Sequence, residues 1–163
     1  MIDHHDAAVA HVSPEQVWPY VADPGLIPFW NEKLVKVTRS IHGTVQTGEV
    51  FEARYRMSRS GGVSRVMVTR CQPMELVEYH HAVTSFGKQA EVVERYELTP
   101  HASGCRVRQT IELGPGTIPW WAVPIVWLLA RFGRPRGMSA MEKLAELAER
   151  EAARSGASDP GGS

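Results

Sequence analysis

Hydrophobic and polar residues alternate along the middle of the chain, between Leu34 and Leu113. An alternation with a period of two is typical of strands that bury one face and expose the other. Turn-forming residues interrupt it at 45–48, 59–62, 71–75, 86–88 and 100–104. The pattern therefore predicts six consecutive strands in an antiparallel meander, and a further strand is predicted near 6–12.

Helix signals follow the first predicted strand. The segment 13–16 predicts a helix start, because its serine can cap the helix, its proline suits the first turn and its glutamine can complete a capping box. The turn formers at 23–25 end this helix. The segment 26–30 is short and interrupted by proline, so it predicts only a second short helical turn.

The C-terminal third is predicted to be helical in two pieces. An apolar run at 118–130 is shorter than the about 20 residues of a membrane-spanning helix, so we predict a core or interfacial helix. Its tryptophans are expected mainly to pack on the sheet, and they are Trp120, Trp121 and Trp127. The proline within 133–137 predicts a kink or break. A capping box then starts a helix over 139–154, and 155–163 predicts a disordered tail.

Pairing each predicted strand with the next across its turn tests whether one face of the sheet is consistently apolar. The predicted partners are Tyr55 with Val66, Val68 with Tyr79, Val66 with His81, His81 with Val92, Tyr79 with Glu94, Val77 with Tyr96, Tyr96 with Gln109 and Leu98 with Val107. One face is then mainly apolar. The opposite face carries charged residues from Glu52 to Glu112 and is predicted to meet water.

Six polar side chains fall on the otherwise apolar face, and they are Tyr55, Tyr79, His81, Glu94, Tyr96 and Gln109. Glu94 stands out because its strand neighbours Glu91 and Arg95 point to water. A buried carboxylate is costly unless it is paired, and its pKa would otherwise rise. The cluster is a candidate functional site. Each member is also explained as an ordinary half-buried sheet residue, with Glu94 either reaching solvent or paired to a neighbouring arginine such as Arg70.

Charge and composition exclude several classes of function. Lys and Arg number 18, as do Asp and Glu, so no net basic field favours nucleic acid as a partner. Residues 1–10 lack the basic start and apolar run of a secretory signal, and a cytoplasmic protein is expected. Cys71 and Cys105 are expected to be free thiols. Adjacent histidines at 4–5 and 80–81 point to opposite faces of a strand, so no metal site is predicted. The segment 58–62 lacks the lysine and glycine spacing of a phosphate loop, and no other cofactor is predicted.

Three local motifs resemble the START-like superfamily, also called SRPBCC, which includes the polyketide cyclase and dehydrase-like proteins. They are VSPEQVW at 12–18, PFW at 28–30 with LVKV at 34–37, and YELTP at 96–100 with GCRV at 104–107. The resemblance implies an α+β helix-grip fold, in which a curved seven-stranded antiparallel sheet wraps around a long C-terminal helix. Two short helices are expected between strands 1 and 2. Residues 1–154 would form a single ligand-binding domain.

The resemblance also implies an internal cavity that holds a hydrophobic small molecule, and it leaves two functions open. An enzyme would catalyse a cofactor-independent cyclisation, dehydration or related proton transfer on a carbonyl-bearing metabolite. Glu94 or His81 would then move protons, and Tyr79 would stabilise an enolate-like oxygen. In a carrier or sensor of a lipid or another hydrophobic molecule, the same groups would only anchor one end of the ligand.

Further residues are expected to contact the substrate, and they are Tyr55, Tyr96, Gln109, Arg70, Trp30 and Trp120. Val17, Trp18 and Trp30 are also expected to have structural roles where the N-terminal helices close one end of the cavity. The chain is expected to be a monomer or a homodimer without a transmembrane segment.

Overall fold

The alternating segment forms strands in the computed structural model, which describes residues 2–39, 42–56, 62–85, 88–114 and 139–157. The elements are β1 Ile2–Ala10, α1 Pro14–Ala22, a 3-10 helix Ile27–Phe29, β2 Leu34–Thr38, β3 Val50–Tyr55, β4 Gly62–Gln72, β5 Leu76–Ser85, β6 Lys88–His101, β7 Gly104–Leu113 and α2 Ala140–Ala157. All neighbouring strands are antiparallel, and their order is β1-β7-β6-β5-β4-β3-β2. This seven-stranded curved sheet with a C-terminal helix confirms the predicted helix-grip fold.

Both predicted capping boxes contribute hydrogen bonds at helix starts. The Ser13 amide donates to Gln16 Oε1 at 3.0 Å before α1. Before α2, the Ser139 amide donates to Glu142 Oε2 at 2.6 Å, and the Glu142 amide donates to Ser139 Oγ at 3.2 Å. These bonds satisfy amides that have no partner within the helix.

Helix α2 ends three residues later than predicted, at Ala157 rather than at residue 154. The Ser155 hydroxyl donates to the Glu151 carbonyl at 3.0 Å, so this serine is accommodated inside the helix. Of the predicted tail, 155–157 is therefore helical, and 158–163 lies outside the described residues. The predicted apolar helix at 118–130 and the break at 133–137 also lie outside them.

The predicted register is confirmed from β4 to β7 and is wrong between β3 and β4. Tyr55 pairs with Gly62, which lies four residues before the predicted partner Val66 in β4. Gly62 was assigned to the turn because glycine favours turns, yet it opens the strand. A shift by an even number of residues leaves the side chains that pair between β3 and β4, up to Met67, on their predicted faces.

The inner face of the sheet packs against the helices and forms the core. Helix α1 contributes Val17, Trp18 and Val21, which are buried, and α2 contributes Met141 and Leu144. The predicted structural roles of Val17 and Trp18 agree with this burial. In the part of the chain that the structure describes, no helix is both long enough and apolar enough to cross a membrane.

Candidate functional site

Five of the six predicted polar residues meet on the inner face, where β3, β5, β6 and β7 lie side by side. The register places Glu94 opposite Tyr79 and Tyr96 opposite Gln109, as predicted. We call these five residues the inner polar cluster, and they are Tyr55, His81, Glu94, Tyr96 and Gln109. Interactions among them decide what each can do.

Glu94 is held through one of its two carboxylate oxygens. Its Oε1 accepts hydrogen bonds from the Tyr96 hydroxyl at 2.5 Å and from Gln109 Nε2 at 2.6 Å. Gln109 Nε2 also lies 3.0 Å from the Tyr96 hydroxyl oxygen, so the three groups form a closed triangle. Tyr96 and Gln109 were expected to contact the substrate. In the structure they bind Glu94 and fix its orientation.

The environment of Glu94 lowers its pKa, contrary to the expectation for an unpaired buried carboxylate. Burial opposes ionisation and by itself would raise the pKa. The neighbouring His81 and the donors Tyr96 and Gln109 lower the pKa by more than burial raises it, so the pKa falls below its ordinary value. Glu94 is therefore an ionised carboxylate near neutral pH.

The second carboxylate oxygen of Glu94 faces His81. Its Oε2 lies 3.4 Å from His81 Nε2, but the two atoms are not aligned as a hydrogen bond, and Nε2 is a buried atom without a hydrogen-bond partner. The His81 side chain is 7 % exposed and that of Glu94 is 15 % exposed. A buried nitrogen with no partner is costly, so this atom marks a position where a bound molecule would gain a contact.

Tyr55 contacts the other nitrogen of the same ring. Its hydroxyl oxygen lies 3.4 Å from His81 Nδ1, and the two rings meet edge to face with centroids 5.9 Å apart. Burial and the charge of Glu94 raise the pKa of Tyr55 well above its ordinary value. Its hydroxyl therefore keeps its proton and can donate a hydrogen bond.

The inner polar cluster lies at the boundary between a tightly packed region and a more open one. Toward one end of β5–β7 the inner side chains are fully buried, as at Val77 and Val107. Toward the other end Ala90 is buried, whereas the larger inner apolar side chains Val92, Ile111 and Leu113 are half-buried. The alternation places these three residues on the apolar face, but alternation alone does not show how deeply a position is covered.

Tyr79 and Trp30 have structural roles. The Tyr79 hydroxyl donates to the Val21 carbonyl in α1 at 2.8 Å, and the residue is 1 % exposed. Trp30 is fully buried, donates from Nε1 to the Tyr20 carbonyl at 2.9 Å and packs edge to face on Tyr96. The structure thus supports the structural assignment of Trp30. It shows no free hydroxyl on Tyr79 for catalysis.

Arg70 does not join the cluster. A bulge between Val68 and Arg70 reverses the alternation in β4, so Arg70 pairs with Glu78 and is exposed. The predicted pair of Arg70 with Glu94 is therefore wrong. Trp120 lies outside the described residues. Among the described residues, no three His, Cys, Asp or Glu side chains are arranged to hold a metal ion.

Comparison with solved structures shows the same fold at low identity. Protein CV1439 from Chromobacterium violaceum matches with a TM-score of 0.65 and 19 % identity, over 91 % of this chain and 96 % of that chain. Protein MLL2253 from Mesorhizobium loti matches with a TM-score of 0.64 and 18 % identity, over 92 % and 98 %. DynU16, from the dynemicin biosynthetic locus, matches with a TM-score of 0.59 and 17 % identity, over 92 % of this chain and 48 % of that chain.

A search of curated proteins finds no match. The family model described as "Polyketide cyclase / dehydrase and lipid transport" matches residues 1–149, which is most of the chain. This match agrees with the seven-stranded sheet and the C-terminal helix. The chain belongs to the polyketide cyclase/dehydrase and lipid transport family.

Proposed function

We propose that this protein binds a small, largely apolar molecule on the inner face of its sheet and catalyses a cofactor-independent proton transfer next to a carbonyl group of that molecule. The observation that carries the proposal is the buried, unpartnered Nε2 of His81 beside an ionised carboxylate. Cyclisation and dehydration of carbonyl compounds both begin with such a transfer. The half-buried Val92, Ile111 and Leu113 would contact the apolar part of the ligand.

His81 is the proposed proton acceptor. Its Nε2 would take a proton from the carbon next to the carbonyl, and the electron pair of the broken C–H bond would move to the carbonyl oxygen to give an enolate. Glu94 would stay ionised, and its Oε2, which lies 3.4 Å from the same nitrogen, would stabilise the imidazolium by its negative charge. This role fits its lowered pKa better than proton transfer by Glu94 itself.

Tyr55 is the proposed donor to the enolate oxygen, because its hydroxyl keeps its proton and its long contact with His81 leaves it available. Tyr96 and Gln109 act as positioning residues, since both bind Glu94 Oε1 and leave Oε2 to face His81. Reprotonation of the enolate, or its attack on a second carbonyl, would complete the reaction.

Exchange of hydrogen for deuterium next to a carbonyl tests this proposal before the natural substrate is known. The protein would be incubated with 2-tetralone in D₂O, and loss of the α-proton signal would be followed by NMR. We expect catalysed exchange in the wild type. His81→Gln should reduce it to the buffer rate, and Glu94→Gln should reduce it about a hundredfold or more.

His80→Gln is the matched control, because His80 lies 3.5 Å from Glu91 in a similar pair on the outer face. It should leave the exchange rate unchanged, and circular dichroism would check that each variant is folded. If the wild type binds 2-tetralone without accelerating exchange, the enzymatic function is wrong and the carrier function is supported. Native mass spectrometry of freshly purified protein would then identify a co-purifying ligand.

A further inference from the structure

Two neighbouring atoms of the inner polar cluster, Glu94 Oε2 and His81 Nε2, restrict the chemistry of any group that binds beside both of them. Glu94 Oε2 belongs to a carboxylate, so it can only accept hydrogen bonds. His81 Nε2 can donate or accept, depending on which ring nitrogen carries the hydrogen. The atoms are 3.4 Å apart and do not form an aligned hydrogen bond, so Nε2 is left without a hydrogen-bond partner and Oε2 can accept a further bond.

A hydroxyl group satisfies both atoms in either tautomer of His81. It donates to Glu94 Oε2 when His81 Nε2–H donates to it, and it can donate to either atom when Nε2 carries a lone pair. An ether oxygen only accepts, so it would place its lone pairs against Oε2. A carboxylate would add a second negative charge at a site with little solvent, where like charges repel strongly.

Other groups around the site do not change this preference. Tyr55 offers a neutral donor, because its pKa is raised. The Tyr96 hydroxyl and Gln109 Nε2 both donate to Glu94 Oε1, and Gln109 Nε2 also lies within hydrogen-bond distance of the Tyr96 hydroxyl. Among the described residues, no lysine or arginine is found in contact with Glu94 or His81. The imidazole of His81 is therefore the one described group there that can carry positive charge, and the carboxylate of Glu94 already faces it.

We infer that the His81–Glu94 pair selects neutral ligands that present a hydroxyl group, such as phenols and enols, over their ethers and over carboxylates. This inference rests on the proposed function in taking the inner face as the binding surface. It also adds a reason for catalysis, because a site that binds an enol better than its ketone favours enolisation. Fatty acids and other anionic lipids would be rejected.

Four ligands with one ring system test this selection, namely 2-naphthol, 2-methoxynaphthalene, 2-naphthoate and naphthalene. Their affinities would be measured by isothermal titration calorimetry at about pH 7. We expect 2-naphthol to bind at least about tenfold more tightly than 2-methoxynaphthalene, because a hydrogen bond to a charged group is among the stronger ones. Binding of 2-naphthoate should be weaker than that of naphthalene.

The variant Glu94→Gln tests whether the order of the four affinities depends on the His81–Glu94 pair, and His80→Gln is again the control. Removing the charge should make 2-naphthoate binding measurable and should narrow the gap between 2-naphthol and its ether, whereas His80→Gln should change neither. The inference is overturned if the ether or the carboxylate matches 2-naphthol in the wild type, or if none of the four binds.

These results are separable from those of the exchange assay. Selective binding of 2-naphthol without catalysed exchange would remove the enzymatic function and keep the selection. Catalysed exchange with equal binding of 2-naphthol and 2-methoxynaphthalene would keep the enzymatic function and remove the selection. The wild-type ranking decides the question even if Glu94→Gln does not fold.

Discussion

Replacing Tyr79 by phenylalanine tests whether this tyrosine is structural, in contrast to the donor role proposed for Tyr55 on the same sheet face. The change removes only the hydroxyl that donates to the Val21 carbonyl at 2.8 Å. Phenylalanine can keep the edge-to-face contacts that Tyr79 makes with Phe51 and Tyr96. The lost stability should therefore reflect one buried hydrogen bond.

The magnitude follows from the burial of both partners. A buried carbonyl left without its donor costs about 1–3 kcal/mol, because it has lost water and gains nothing in return. For a domain of 150 to 250 residues, 1 kcal/mol shifts Tm by about 2–4 °C. We expect Tyr79→Phe to lower Tm by roughly 2–12 °C in differential scanning calorimetry and to leave exchange of 2-tetralone unchanged at a temperature where it is folded.

Tyr55→Phe is the matched comparison, and it should behave in the opposite way. Its hydroxyl lies 3.4 Å from His81 Nδ1 at a half-buried position, a contact too long to stabilise the fold much. Tm should change by less than about 2 °C, whereas loss of a donor to the enolate oxygen should slow exchange by about 10²–10³-fold. If Tyr79→Phe kept its Tm and lost exchange, Tyr79 would be a catalytic residue and its anchoring role would be refuted.

Two further predictions concern charge. Because the folded state lowers the pKa of Glu94, its ionised carboxylate stabilises the fold above the unfolded pKa near 4.5, and this contribution is lost as the pH falls through the folded pKa. Below pH 4.5, Tm should therefore fall less steeply with pH in Glu94→Gln than in the wild type. Equal slopes of Tm against pH would contradict this prediction. Arg39 is 4 % exposed and bonds to Glu49, Asp23 and the Gly43 carbonyl, so Arg39→Met should cost about 3–5 kcal/mol in urea unfolding; a change below 1 kcal/mol would show that the network contributes little.

The faces of the strands could be predicted from the sequence, but the roles of the residues on them could not. The alternation fixes whether a side chain points in or out, and turn signals fixed the pairing from β4 to β7. Tyr55 and Tyr79 are equivalent on that basis. What distinguishes them is that α1 covers Tyr79 with the Val21 carbonyl, 58 residues away in the chain, and no local pattern predicts this contact.

The bulge in β4 gives a second reason why the sequence did not predict all the site contacts. Strict alternation places Arg70 on the same face as Val68, which made it a plausible partner of Glu94. The extra residue between them reverses the alternation, so Arg70 faces outward beside Glu78 and Cys71 packs against the core instead. A bulge without glycine leaves no compositional mark, because residues of every kind can occupy it.

Two histidine–glutamate pairs on successive residues of β5 show how the sheet turns similar side chains to different uses. His80 lies 3.5 Å from Glu91, and His81 lies 3.4 Å from Glu94. In the outer pair the side chains are 29 % and 69 % exposed, so water screens their attraction and a bound ligand would gain little from it. In the inner pair they are 7 % and 15 % exposed, and charge acts in a medium of low polarity. The same two residue types therefore meet water on one face and form a buried charged pair on the other, and only the buried pair suits the proposed proton transfer.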